Sequence, residues 1–122
     1  MTEIVSIGEV LIDLTQAGVN SQGIPLFAAN PGGGCSNLAV AAARLGAKVS
    51  FVGKVGPDGF GSSLVQVLEE NRVDVSGVRV GTKPTTLAIA SVDDKGERDF
   101  AFVRGADCDL ALEELDLGTI FQ

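Results

Sequence analysis

The 122-residue chain has no histidine, two cysteines, and nine Lys and Arg against sixteen Asp and Glu, for a formal charge of −7. The missing imidazole removes the usual general base, the commonest metal ligand and every Ser-His or Cys-His arrangement. Acid–base chemistry then falls to Asp, Glu, Lys or Cys. Cys35 and Cys108 make no disulfide framework and lack the C-x-x-C spacing of zinc or redox sites. They read as reduced thiols of a cytoplasmic protein. The shortage of cations argues against nucleic acid as a partner, because neutralising phosphates takes clustered Lys and Arg. Met1-Thr2-Glu3 carries an acid where a secretion signal carries positive charge. The common nucleotide fingerprints are missing too. There is no G-x-x-x-x-G-K-[ST], and the first apolar run leads into Gly8-Glu9-Val10-Leu11-Ile12-Asp13 rather than G-x-G-x-x-G.

One stretch lacks charge altogether. No Asp, Glu, Lys or Arg lies between Asp13 and Arg44, yet the stretch holds Pro25, Pro31, five glycines, three asparagines and two glutamines. That composition rules out a membrane span. A chain that leaves thirty residues uncharged has folded them over something. With 45% hydrophobic residues, the whole suits one modest domain rather than a disordered chain.

What is present alternates strand and helix. Ile4–Ile7 is an apolar run ended by Gly8, and Val49–Val52 is a second; both read as buried strands. Between them the spacing predicts a helix over 37–45, with Ser36 as N-cap, Gly46 just beyond, and Leu38, Ala41, Ala42 and Leu45 as its apolar stripe. A second helix is predicted at about 61–71, with Ser63 and Gln66 at capping-box spacing and Leu64, Val67 and Leu68 inward. This order implies parallel crossovers and an α/β sheet. Residues 85–92 and 98–104 are β-prone and flank Asp93-Asp94-Lys95-Gly96-Glu97, which predicts an antiparallel hairpin serving as a flap or lid. Residues 93–122 carry nine acids against Lys95, Arg98 and Arg104. These acids suit the hairpin turn and a solvated helix around Glu113, Glu114 and Asp116 better than a metal cluster of Asp107, Asp109, Glu113 and Glu114.

Two features bear on chemistry. Pro31-Gly32-Gly33-Gly34-Cys35-Ser36-Asn37 runs directly into a helix. Its glycines admit close approach to the main chain, and the helix start offers unpaired N–H donors to an anion or hydroxyl oxygen. A glycine-rich loop that merely turns into a helix fits the same residues, and the two readings stand level. Asp13 closes an apolar run, where open α/β sheets bind ligands, and an ionised carboxylate bridges neighbouring sugar hydroxyls. A loop-capping Asp is the plainer alternative.

Taken together, Gly8-Glu9-Val10-Leu11-Ile12-Asp13, Pro31-Gly32-Gly33 with Asn37, Ala41-Ala42-Ala43-Arg44-Leu45-Gly46, and Gly53-Lys54-Val55-Gly56-Pro57-Asp58-Gly59-Phe60-Gly61 resemble the N-terminal part of a ribokinase-like (phosphofructokinase-B type) carbohydrate kinase. The opening motif and Gly96-Glu97-Arg98-Asp99-Phe100-Ala101-Phe102-Val103-Arg104 resemble fructokinases most closely. The resemblance implies a three-layer α/β/α sheet with a small β-sheet lid, of which 1–122 is the N-terminal portion and 14–34 and 85–104 supply lid strands. It implies that Asp13, Gly33, Gly34 and Asn37 bind the sugar and that Arg104 reaches toward it from the lid. It implies ATP and Mg²⁺ as cofactors, bound mainly by a C-terminal portion that also carries the catalytic aspartate in a Gly-Ala-Gly-Asp motif. The 122 residues alone are therefore expected to be inactive. A homodimer through the lid is implied as well. Gly34 stands where ribokinases tend to have lysine, and Cys35-Ser36 where fructokinases usually have proline and alanine. Kinases for 2-keto-3-deoxygluconate, ribose or a nucleoside therefore remain alternatives. A non-catalytic lid module is the alternative of another class.

Overall fold

A computed structural model describes residues 1–115. Strand β1 (Ile4–Ile7) leads through β2 (Leu11–Val19) and β3 (Pro25–Gly32) to helix α1 (Gly34–Arg44). Then follow β4 (Val49–Val55), helix α2 (Gly59–Glu70), β5 (Asp74–Val80), β6 (Leu87–Val92) and β7 (Arg98–Val103), with short 3-10 turns at Ala106–Asp109 and Leu112–Glu114. The strands form two sheets. One is parallel, in the order β1-β4-β5; the other is mixed, in the order β3-β2-β6-β7, with β2 and β6 parallel and both outer pairs antiparallel. Among the described residues no helix is long and apolar enough to cross a membrane.

The α/β expectation holds, with β1 and β4 paired in parallel across α1. Their shared core contains Val10, Ile12, Ala39, Val49, Phe51, Val55, Leu64, Leu68 and Val73. Of the expected apolar stripe of α1 only Ala42 packs against the core. Leu38 and Leu45 are 57% and 89% exposed, while Ser36 and Ala39 are buried and Val40 and Ala43 partly so. Both stripes have the same i, i+3, i+4, i+7 spacing, offset by two residues, which is more than half a helical turn. The small-residue stripe faces inward because it lets α1 lie close against β1 and β4, where bulkier leucines would hold it away.

Helix starts were also displaced. Gly33 precedes α1 with no side-chain cap, and Ser36 lies inside the first turn, its hydroxyl donating back to the Gly32 and Gly33 carbonyls at 2.7 and 3.1 Å. Helix α2 begins at Gly59, two residues before the predicted start, because Asp58 rather than Ser63 is its cap. Strand β5 has no counterpart in the sequence reading; Asp74, Ser76 and Gly77 are poor strand formers and hid its valines. Gly77 is required there, since a Cβ would lie 2.9 Å from Val52 Cγ2 on the neighbouring strand. The predicted terminal helix is absent among the described residues. Two 3-10 turns take its place and are tied to β4 by Lys54, which lies 2.7 Å from Glu114 Oε1 and donates to the Asp109 carbonyl at 3.1 Å. This one hydrogen bond, donated by Lys54 to Glu114, is the chief cause that lowers the Glu114 pKa and raises the lysine's. Asp116 lies outside the described residues.

In the β6–β7 hairpin the buried side chains are the alanines, Ala88 and Ala90, not the larger Leu87 and Ile89; Phe100 and Phe102 stay more than half exposed. The turn is closed by Asp93, whose carboxylate accepts from the Lys95 and Glu97 N–H groups at 2.9 Å.

The two sheets meet at Asp58. Its carboxylate accepts from Gly61 N–H (2.8 Å), Thr85 N–H (2.9 Å) and the Thr85 hydroxyl (2.7 Å), while Gly56 N–H donates to Thr85 Oγ1 at 2.9 Å. Burial pushes the Asp58 carboxyl up, but these hydrogen bonds outweigh it and hold the group below the usual aspartate range. The stabilisation is therefore complete above about pH 5, where the unfolded carboxyl is already ionised, and is lost as pH falls through the lowered folded value. Asp58→Ala removes a helix cap and both Thr85 contacts, for an expected loss of about 2–3 kcal/mol in urea unfolding at pH 7. That loss should shrink as the measurement is repeated toward pH 3.

Candidate sugar-binding site

The glycine run and Asp13 are brought together by the β2–β3 ribbon. Asp13 pairs with Asn30, and Leu11 with Gly32, so Gly32 ends β3 on the face that carries Asp13. A Cβ on Gly32 would lie 3.4 Å from Asp13 Cβ. Gly33 then crosses over β2. It has φ +102°, and a Cβ there would fall 2.6 Å from the Glu9 carbonyl oxygen. Both the backbone conformation and the contact exclude a side chain. Gly34, the first helical residue, has open space where its Cβ would be.

Helix α1 begins at once. Ser36 N–H donates to the Glu9 carbonyl (3.2 Å) and Asn37 N–H to that of Gly33 (2.9 Å), while the N–H groups of Gly34 and Cys35 have no partner among the described residues. The exposed Asn37 amide is likewise uncommitted, and Asp13 receives only a 3.3 Å bond from the Thr15 hydroxyl. An ionised carboxylate, a free amide and two free helix-terminal donors are thus presented beside a floor without side chains. Their hydrogen-bonding capacity suits vicinal hydroxyls.

The register extends this surface across the second sheet. Asp13 pairs with Ala88, and Ala88 with Phe102, so Asn30, Asp13, Ala88 and Phe102 form one cross-strand row on a single face. Arg104 lies two residues further along the same face, its guanidinium 4.7 Å from the Phe102 ring centroid. Strands β2 and β7 are two strand spacings apart, about 10 Å, which makes a shallow trough with polar groups at one side and an aromatic at the other. Of the predicted residues, Gly33, Gly34 and Asn37 lie together at the start of α1, Asp13 lies against the Gly32 that leads into it, and Arg104 stands beside Phe102 at the far end of the row.

Asn30 and Phe102 were not singled out by sequence reasoning as site residues, because only the register shows that they flank Asp13. Asp107 was grouped with solvated acids. Its side chain is 5% exposed, pairs with Arg104 NH1 at 2.9 Å and accepts the Thr86 hydroxyl. The one available signal was its place three residues after Arg104. Among the described residues no three metal-ligating side chains converge, and Asp107, Asp109 and Glu114 are engaged by Arg104, Lys83 and Lys54. These residues do not fit a Mg²⁺ site.

The model of the pfkB family carbohydrate kinases matches residues 1–121. The chain is 42% identical over 118 residues to a probable chloroplastic fructokinase-6 of Arabidopsis thaliana, covering 93% of this chain and 30% of that protein. It is 43% identical to fructokinase-1 of Oryza sativa subsp. japonica, covering 93% and 36%. A crystal structure of fructokinase from Xylella fastidiosa superposes with a TM-score of 0.87 at 38% identity, covering 95% of this chain and 37% of that one. A second from the same organism, with bound ATP, also gives 0.87, at 35% identity. The chain spans about a third of the length of the curated relatives it matches.

The two glycines that adjoin α1 should behave oppositely on substitution. Gly33→Ala is expected to cost about 2–4 kcal/mol in denaturant unfolding, from positive φ and the backbone clash. Gly34→Ala, at an open helical position, should leave stability unchanged or raise it by about 0.5–1 kcal/mol.

Proposed function

The chain belongs to the pfkB family of carbohydrate kinases, and from that premise we propose that the full-length protein transfers a phosphoryl group from ATP, with Mg²⁺, to a hydroxyl of fructose. The observation that carries this reading is the juxtaposition of Asp13, with its unsatisfied acceptor capacity, and the uncapped start of α1 over the Gly33–Gly34 floor. Asp13 accepts hydrogen bonds from two sugar hydroxyls, Asn37 donates to one and accepts from another, and the glycine backbone lies against the ring. Arg104 reaches the sugar from the far side of the trough. The likeness to plant and bacterial fructokinases supports fructose over ribose or a nucleoside.

In this reading the sheet β3-β2-β6-β7 is the lid. Closing it over the sugar excludes water and holds the hydroxyl where phosphoryl transfer, which depends on positioning and charge stabilisation, takes place. The uncharged stretch after Asp13 fits that role, since a closing surface does not readily bury unpaired ions. The same sheet serves a homodimer, supported by the exposure of Val19, Leu26 and Phe27.

Asp13→Ala in the full-length protein should raise the fructose KM by about 100-fold and leave the ATP KM within about twofold, measured by steady-state kinetics. Equal changes in both would count against the assignment. Gly34→Ala, although folded, should raise the fructose KM by at least about tenfold, because its methyl group occupies the floor.

A further inference from the structure

Arg104 is held from two sides. Its guanidinium lies over the Phe102 ring, and NH1 is 2.9 Å from Asp107 Oδ2. The arginine is 48% exposed, its carboxylate partner 5%. The inner partner is fixed independently of the outer one. The buried Thr86 hydroxyl donates to Asp107 Oδ1 and accepts from Gly105 N–H at 2.9 Å. Gly105 itself admits no side chain, since a Cβ would lie 2.1 Å from the Pro84 carbonyl oxygen. The nearby cation Lys83 is occupied by Asp109 at 3.2 Å. Asp107 is thus set in place before any ligand arrives, and Arg104's other N–H donors have no partner among the described residues.

A bare guanidinium at the edge of a sugar site recognises a carboxylate through two parallel hydrogen bonds. A guanidinium already paired with a buried carboxylate offers N–H donors with little net charge, and these suit hydroxyl and keto oxygens. A carboxylate ligand would meet the like charge of Asp107 directly behind the arginine, which is specificity by repulsion. We propose that Asp107 is a positioning residue that aims and neutralises Arg104, and so makes the site prefer an uncharged sugar over a sugar acid. The inference rests on the sugar-kinase reading above.

The test uses the full-length protein, with fructose and 2-keto-3-deoxygluconate as rival substrates at saturating ATP. Asp107→Asn keeps an oxygen for the Thr86 hydroxyl and removes the charge. It should raise the fructose KM about tenfold with kcat little changed, and move the kcat/KM ratio about tenfold or more toward the sugar acid. Added to Arg104→Ala, which alone weakens fructose binding, the same substitution should change the fructose KM by less than about twofold, because Asp107 acts through Arg104. If Asp107→Asn is harmless, or harms the Arg104→Ala background as much as the parent through misfolding, the proposal fails and the kinase reading stands. Wild-type preference for the sugar acid, or an Arg104→Ala variant with unchanged fructose kinetics, likewise overturns it while leaving a carbohydrate kinase. Failure of the wild-type protein to phosphorylate either substrate would overturn the fructokinase reading itself and leave kinases of other substrates, such as ribose or a nucleoside, to be tried.

Discussion

The Asp58 carboxylate ties the two sheets together through direct hydrogen bonds, on top of the core they share. Asp58 caps α2, which packs against the parallel sheet, and through Thr85 it anchors the chain where it leaves that layer for β6. Strand β6 lies in the middle of the mixed sheet, between β2 and β7. Pairing with β2 and β7 places Ala88 beside Asp13 and Phe102 beyond it, on a strand whose approach is held by the Asp58–Thr85 contact. Its strength comes from charge-assisted hydrogen bonds in partly buried surroundings, where they count for more than at an open surface.

On the other side of the trough the corresponding constraint is steric. Gly33 passes so close to the Glu9 carbonyl that only a residue without a Cβ fits, and the Ser36 N–H bonds to that same carbonyl. Strand β2 and the start of α1 are thus locked together by one backbone crossing. Near it in the chain, Asp13 accepts only the Thr15 hydroxyl, and the Asn37 amide in the first turn of α1 has no partner among the described residues. If these groups meet a sugar as proposed, binding need not first disrupt strong internal hydrogen bonds. Arg104 differs in kind, since it is already paired with the buried Asp107 carboxylate.

Much of this was legible in the chain. The alternation of apolar runs and helical spacings announced an α/β sheet, and Asp93 with Gly96 announced the β6–β7 hairpin. The ordered motifs from Gly8 to Gly61 pointed to one family. Elsewhere local rules misled. Leu38 in α1 and Leu45 just past its end are large hydrophobes yet face outward, because close helix-to-sheet packing favoured Ser36 and Ala39. Ser63 had capping spacing, but Asp58 had the partners. Strand β5 was hidden by Asp74, Ser76 and Gly77, although Gly77 is there to let a neighbouring valine in.

The sequence by itself determined the fold class, the family and the chemical identity of the glycine loop and Asp13, since those depend on residue type, order and spacing along the chain. Tertiary structure alone decided which residues share a surface. Strand register set Asn30 and Phe102 beside Asp13, and long-range pairing moved Asp107 from a presumed solvated acid to the buried partner of Arg104. Register and pairing across strands distant in sequence are settled by packing and by satisfying buried polar groups. Neither leaves a periodic trace along the chain.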